Sequence, residues 1–290
     1  MISGWIILDK PTMMFSRTAG AKVAHMLKTK TFGHIGTLDE LASGVLPIAF
    51  GGATKMIPFV EDLSDGKKEY LFSMQFGFGT DTLDILGKEI AKTNFIPTEQ
   101  QVKDCLKDFI GDIKQVPPAY SAVHIKGRRA YDLARAGQNI DMPERQISIY
   151  SLDFLGVQGK SWHFRVVCSR GTYVRALARD IARTCGTLAT VDMIRRTKTN
   201  GFDIKDAVKL DFLEKVFNNS ADFKDILKPI DLCLGGIPVI SLDEKSAVLY
   251  KNGGFIKVAG NAGLVRVYTD KQFIGIGQIS DGVLRPKRTI

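Results

Sequence analysis

The stretch GHIGTLDELASGVLP, residues 33–47, sets one carboxylate, Asp39, between a Gly-X-X-Gly turn and an apolar run. Glycines let the chain bend sharply and pass close to other backbone, while an apolar run of this kind reads as buried. A carboxylate between the two is either a turn or helix cap, a common use of Asp, or a reactive group on a rigid mount. Three more patches carry residues with chemistry. KKEY ends at Tyr70, at the head of an alternating segment. VPPAYSAVHIKGRRAYDLARAG, residues 116–137, interleaves Lys126, Arg128, Arg129 and Arg135 with Tyr131. That pattern suits phosphate contacts beside a stacked base, and also suits a solvated charged face. CSRGTYVRALARD, residues 168–180, places Arg175 at the start of a predicted helix, where the dipole disfavours a cation.

Elements must hold these patches. GWIILD reads as a strand, and SRTAGAKVAHMLK as a helix with Ser16 as its N-cap. VLPIAFG is a short apolar segment, and ATKMIPFVEDL a helix with a proline inside it. KKEYLFSMQFG alternates Tyr70, Phe72, Met74 and Phe76 on one side and is a strand. GTDTLDILG is a polar loop. PTEQQVKDCLKDFIG is a helix that opens on a Thr98–Gln101 capping box and ends at Gly111. QISIYSLDFLG and SWHFRVVCS form a hairpin, TYVRALARDIARTCG a helix, and TLATVDMIRRT a strand. Adjacent strand pairs with few βαβ units predict an α+β fold, a mainly antiparallel mixed sheet flanked by helices. From Pro238 onward, short β-like pieces separated by turns predict a small barrel or sandwich. At roughly 50 residues it needs the rest of the chain for support.

The chain has 290 residues, 44% of them hydrophobic and 24% charged, which is ordinary globular composition. Its net charge of +9 favours a polyanionic partner. Cys105, Cys168, Cys185 and Cys233 form no C-x-x-C pair, and the four histidines are scattered. This argues against a disulfide framework and a zinc site. The N-terminus lacks a basic region before its apolar stretch, and no apolar run approaches the roughly 20 residues of a membrane span. A cytoplasmic protein is expected.

In order and spacing the four patches resemble the TruB-type tRNA pseudouridine synthases. The pattern G-H-x-G-x-L-D-x-x-A-x-G-V-L-P runs from Gly33 to Pro47. P-P-x-Y-S-A-x-K-x-x-G-x-x-x-Y-x-x-A-R runs from Pro117 to Arg135, with His124 at the usual lysine. G-T-Y-[IV]-R is Gly171 to Arg175, and [LI]-R-R-T is Ile194 to Thr197. Ile35, Glu40 and Gly52 stand where the family usually has Thr, Pro and Glu. Glu40 sets a second carboxylate next to Asp39.

The resemblance implies a pseudouridine synthase fold over residues 1–232, with an RNA-binding insertion around 115–145. It also implies a small C-terminal β-barrel of PUA-like type over 237–290. The implied reaction turns one uridine of the tRNA T-loop into pseudouridine after the base is flipped out. It requires no metal, cofactor or protein partner, and a monomer is expected. Asp39 is the implied catalytic carboxylate, Tyr70 the residue stacking on the base, and Arg175 the partner of Asp39. His34 is implied to enter the RNA loop where the base leaves. Lys126, Arg128, Arg129, Tyr131 and Arg135 are implied RNA contacts, and Gly36, Leu38 and Ile194 pocket or support residues. A non-catalytic tRNA-binding folding factor, or a synthase acting on another RNA, is the alternative.

Overall fold

The stretch carrying Asp39 lies where one strand of a large sheet changes partners. The computed structural model describes residues 2–138, 140–218, 226–270 and 272–290. The chain opens with β1 (Gly4–Lys10), α1 (Ser16–Met26), β2 (Phe32–His34), β3 (Ser43–Phe50), α2 (Ile57–Leu63) and β4 (Lys68–Phe76). Next come β5 (Phe78–Thr80), β6 (Glu89–Lys92), α3 (Glu99–Cys105), β7 (Gly111–Gln115), β8 (His124–Ile125), β9 (Arg128–Arg129) and α4 (Ala130–Arg135). The long strands β10 (Arg145–Gln158) and β11 (Ser161–Cys168) follow, then α5 (Val174–Thr184), β12 (Ala189–Thr199), β13 (Phe202–Asp203), β14 (Val208–Lys209) and α6 (Leu210–Asn218). The last part holds β15 (Val239–Leu242), α7 (Glu244–Lys251), β16 (Ile256–Lys257), β17 (Gly263–Thr269), β18 (Gln272–Ser280) and β19 (Val283–Thr289).

Among the described residues the main sheet has ten strands in the order β14-β1-β3-β12-β4-β11-β10-β7, with β13 on β12 and β2 on β3. Two pairings, β1 with β14 and β3 with β12, are parallel. The other pairings in this sheet are antiparallel, giving the mainly antiparallel α+β fold read from the sequence. In β4 the alternating Tyr70, Phe72, Met74 and Phe76 are all buried on one face, as a period of two requires. Helix α1 turns Ala19, Val23 and Ala24 toward that face, and α5 turns Leu177, Ala178 and Ile181. The opposite face buries Trp5, Ile7, Val45 and Ala49 with Phe273 and Ile276 of the last part. That part is a curled five-stranded PUA-like sheet, β15-β17-β18-β19-β16, and it leans on the main sheet as its size demands.

Pro47 lies within β3, a position that would normally cost a ladder hydrogen bond. Its carbonyl accepts from Ile35 N at 3.1 Å, so its nitrogen points to that same edge. On that edge β3 pairs with β12 only at Ser43 and Gly44, and with β2 only from Ile48. Pro47 falls in the gap between those two pairings, where its missing N–H interrupts neither ladder, and residues 35–42 leave the sheet through it.

Several local readings need correction. Phe15, not Ser16, occupies the N-cap of α1, and it makes no side-chain cap. Ser16 instead uses its hydroxyl on Leu38. The helix predicted to reach Gly111 stops at Cys105 and tightens into a 3₁₀ turn over Leu106–Phe109, although its Thr98–Gln101 capping box is present. The proline-containing helix is a 3₁₀ turn over Gly51–Met56, then α2, which accepts Pro58 in its first turn. Among the described residues, no helix is long and apolar enough to cross a membrane.

Candidate active site

Residues 35–42 are fixed from three directions. Leu38 N donates to Ser16 Oγ at 2.8 Å, and the same hydroxyl donates to Leu38 O at 3.0 Å. Thr12 Oγ1 donates to Leu41 O at 2.7 Å. From below, Arg196 donates through Nη2 to Gly36 O at 2.7 Å and through Nε to Val45 O at 2.8 Å, tying the two stems of the loop together. Gly36 sits at φ +65°, and a Cβ there would meet Arg196 Nη1 at 2.8 Å. Gly44 lies against the Arg196 backbone, where a Cβ would meet the carbonyl oxygen at 2.1 Å. Both glycines are needed for close approach as well as for backbone conformation.

Asp39 leads from this frame to Arg175. Arg175 Nε donates to Asp39 Oδ2 at 2.8 Å, with the arginine side chain 5% exposed and the aspartate 42% exposed. The guanidinium also donates to Thr82 O at 2.8 Å and Tyr120 O at 3.1 Å, and Nη1 lies 3.5 Å from Asp84 Oδ2. One arginine therefore joins three loops that are far apart in sequence. Its acceptors offset its place in the first turn of α5. That turn is braced by Gln115, which bonds both the N–H and the carbonyl of Tyr173.

Tyr70 stands directly opposite Arg196 in the β4–β12 ladder. Burial pushes its phenol up to about 12, and the Arg196 guanidinium beside it acts in the opposite direction. Tyr70 and Asp39 line one cavity of about 170 Å³, together with Lys68, Leu38, Thr172 and Ile194. Asp39 also borders a groove of about 950 Å³ walled by Arg17, His34, Tyr120, Tyr131 and Arg135. His34 faces Thr37 Oγ1 at 3.3 Å, and partial burial lowers its pKa, with Arg196 and Arg17 adding to the effect.

The segment 116–144 leaves the sheet between two paired strands, since Gln115 of β7 sits opposite Arg145 of β10. It carries its own small apolar cluster of Val123, Ala130 and Met142. The basic residues do not gather around Tyr131 as the sequence reading has them. Only Arg135 lies over that ring, 5.6 Å from its centroid. Arg129 turns to Ala122 O at 2.6 Å and to His124, while Lys126 and Arg128 are exposed on the β8–β9 hairpin. Gly36 lies behind the cavity rather than in its lining, whereas Leu38 and Ile194 line it.

Sequence reasoning missed Asp84, Arg196 and Lys68 as site residues. Asp84 lies in the polar loop GTDTLDILG, where Thr82 Oγ1 donates to its Oδ1 at 2.8 Å and Leu86 N at 3.1 Å. Arg196 lies within the Ile194–Thr197 pattern, but nothing local to that pattern marks its guanidinium as a support of the Asp39 loop. Glu40 does not displace Arg175 as the neighbour of Asp39.

A family model described as "TruB family pseudouridylate synthase (N terminal domain)" matches residues 24–174. The chain belongs to the TruB family of pseudouridylate synthases. Two further TruB models, of C-terminal regions, match residues 175–235 and 238–290. A relative from Rhizobium johnstonii, named tRNA pseudouridine synthase B, is 41% identical over 99% of this chain and 96% of its own length. One of the same name from Gluconacetobacter diazotrophicus is 36% identical, covering 100% and 97%. Among solved structures, a Cbf5-Nop10-Gar1 complex aligns with a TM-score of 0.70 at 22% identity, over 99% of this chain and 84% of that one. That likeness concerns the fold. As a TruB-family enzyme, the chain isomerises uridine to pseudouridine.

The Asp39–Arg175–Asp84 arrangement has a consequence for stability. Arg175→Met should leave Asp84 buried without a cation, and breaking such a buried pair from one side costs about 3–5 kcal/mol. Urea denaturation should show a midpoint lowered accordingly. A midpoint equal to that of the unchanged protein would refute the role of Arg175 as the tie between loops.

Proposed function

We propose that the chain isomerises a uridine in the T-loop of tRNA, with Asp39, Tyr70 and Arg175 as its catalytic residues. The observation carrying this reading is that Asp39 lines both the cavity holding Tyr70 and the adjoining groove, where Arg175 bonds it. The relatives' name, tRNA pseudouridine synthase B, supports tRNA as the substrate. The flipped uracil enters the cavity and lies against Tyr70, while its sugar stays at the mouth beside Asp39. Arg175 holds Asp39 through one carboxylate oxygen and leaves the other for the sugar or base. There Asp39 acts as nucleophile or takes a proton from the sugar. His34, Tyr131 and Arg135 line the groove through which the RNA loop passes. Lys126, Arg128 and Arg129, exposed on the insertion, offer further phosphate contacts. We divide the chain into a catalytic part, 1–232, with 115–145 as its RNA-binding insertion, and a PUA-like part, 237–290.

Mapping pseudouridine in tRNA incubated with purified protein tests this directly. Product should appear at one T-loop uridine; product elsewhere, or none, would reject the site assignment. An isolated T-arm hairpin should be a substrate and a duplex of the same sequence should not, because only the loop releases the base cheaply. Binding should weaken steeply with salt. The chain's net charge of +9 is compatible with about six phosphate contacts and a log–log slope of about −4 to −5. A slope near zero would remove the electrostatic part of the reading.

A non-catalytic RNA binder is disfavoured by the cost of the site itself. A pure binder gains nothing from sinking Arg175 beside two carboxylates at a cavity mouth.

A further inference from the structure

Lys68 is a cation in the cavity wall whose ammonium has no ion-pair or hydrogen-bond partner among the described residues. A second cation crowds it. A Cβ on Gly36 would meet Arg196 Nη1 at 2.8 Å and Lys68 Nζ at 3.6 Å, so both groups press on the same glycine. Arg196 Nη1 is itself buried without a hydrogen-bond partner. None of the carboxylates nearby pairs with it: Asp39 bonds Arg175, Glu69 bonds Thr197 and Lys198, and Glu61 acts on Lys68 only through its field. Half-burying an ammonium beside another cation is unfavourable unless some other group satisfies it. Burial and then Arg196 bring Lys68 down to about 8, with Arg170 adding to this and Cys168 and Glu61 opposing it.

The surroundings narrow what that group is. Lys68 and Tyr70 are two residues apart on β4, so their side chains leave the same face of the strand. Leu38, Ala42, Val174 and Ile194 supply the apolar part of the wall. A flat heterocycle resting on Tyr70 fits this lining and turns a polar edge toward Lys68. A phosphate would have to be desolvated against the apolar wall.

We propose that Lys68 contacts the substrate, its ammonium donating a hydrogen bond to a ring carbonyl oxygen of the flipped uracil and pairing with the charge that the base acquires during the reaction. The inference rests on the reading that the uridine base enters this cavity. When the C1′–N1 bond breaks, both electrons leave with the uracil, and the charge spreads over N1 and the two carbonyl oxygens. Lys68 keeps its proton and faces that charge. The electron pair then forms the C5–C1′ bond, the C5 proton passes to a base, and N1 takes up a proton. A fixed donor aimed at charge that develops only as the bond breaks favours the transition state over the bound ground state.

The test uses the full-length protein in single-turnover reactions at saturating tRNA. Lys68→Met should slow turnover about 10²- to 10³-fold, the loss typical of one such donor, while tRNA affinity stays unchanged. Lys68→Arg should retain part of the activity and, at subsaturating tRNA where the rate–pH profile reports the free enzyme, move the basic limb upward from about 8, because arginine does not titrate there. Substrates carrying 2-thiouridine or 4-thiouridine at the target weaken one carbonyl acceptor at a time. One of them should slow the unchanged enzyme and have little further effect on Lys68→Met. Wild-type turnover by Lys68→Met, or losses that simply multiply, would overturn the proposal. So would a methylphosphonate at the target whose effect, rather than that of sulfur, disappears in Lys68→Met, since that assigns Lys68 to phosphate. If Lys68→Met does not fold, an unmoved basic limb in Lys68→Arg overturns it. No pseudouridine from the unchanged protein would instead refute the site reading on which the proposal stands.

Discussion

Asp39→Asn should abolish pseudouridine formation and leave RNA binding near its original strength. The amide has the shape of the carboxylate, and the loop that carries it is held by Ser16, Thr12 and Arg196 through backbone groups of Gly36, Leu38, Leu41 and Val45 rather than through Asp39 itself. The frame therefore survives the change. What is lost is the negative charge and the nucleophilic or basic oxygen, for which no neighbour substitutes: Asp84 is buried and committed to Thr82, Leu86 and Arg175. Removing the central group of a catalytic set typically costs about 10⁴-fold or more. Turnover within tenfold of the unchanged enzyme, in a preparation free of deamidated protein, would sink the assignment. A large loss of RNA affinity would mean instead that Asp39 organises the groove.

Tyr70→Phe should slow the chemical step by about 10²- to 10³-fold, within the range for a positioned proton-transfer group, with tRNA affinity close to normal. The ring remains, so stacking against the base remains. The hydroxyl is the part removed. It is buried beside Arg196, and its pKa of about 12 keeps it neutral in the resting site, so the variant loses a hydrogen-bonding group and not a charge. Its proposed task is to help remove the C5 proton after the base has turned. Tyr70→Leu should lose the aromatic face as well and weaken binding of the flipped state. If Tyr70→Leu turned over at the original rate, Tyr70 would be a core residue of β4 and nothing more.

The alternating run in β4, the Thr98–Gln101 capping box and the hairpin joining β10 to β11 were legible because they rest on neighbours within a few residues. Helix boundaries were less so. Ser16 has the chemistry of an N-cap, yet Leu38, brought beside it by the sheet, is the partner it takes. The helix after Thr98 ends early because the chain must enter β7 at Gly111, at φ +100°, a demand set by pairing with β10.

For the site, the sequence by itself determined which residue types are present and in what order: a carboxylate between glycines, a tyrosine heading an alternating strand, an arginine opening a helix, and an excess of positive charge. These are local patterns, and the resemblance to TruB enzymes rests on them. Only the tertiary structure decided which charges are buried and what they face. Arg175 reaches Asp39 across 136 positions and Tyr120 across 55, and Arg196 reaches Gly36 across 160. Solvation of a charge depends on everything packed around it, from every part of the chain, so no spacing rule marks Asp84 as a partner of Arg175. For the same reason, Lys68 and Arg128 look alike as letters. The ladder of β4 against β12 puts one into the cavity wall beside Arg196, and the exposed β8–β9 hairpin leaves the other in water.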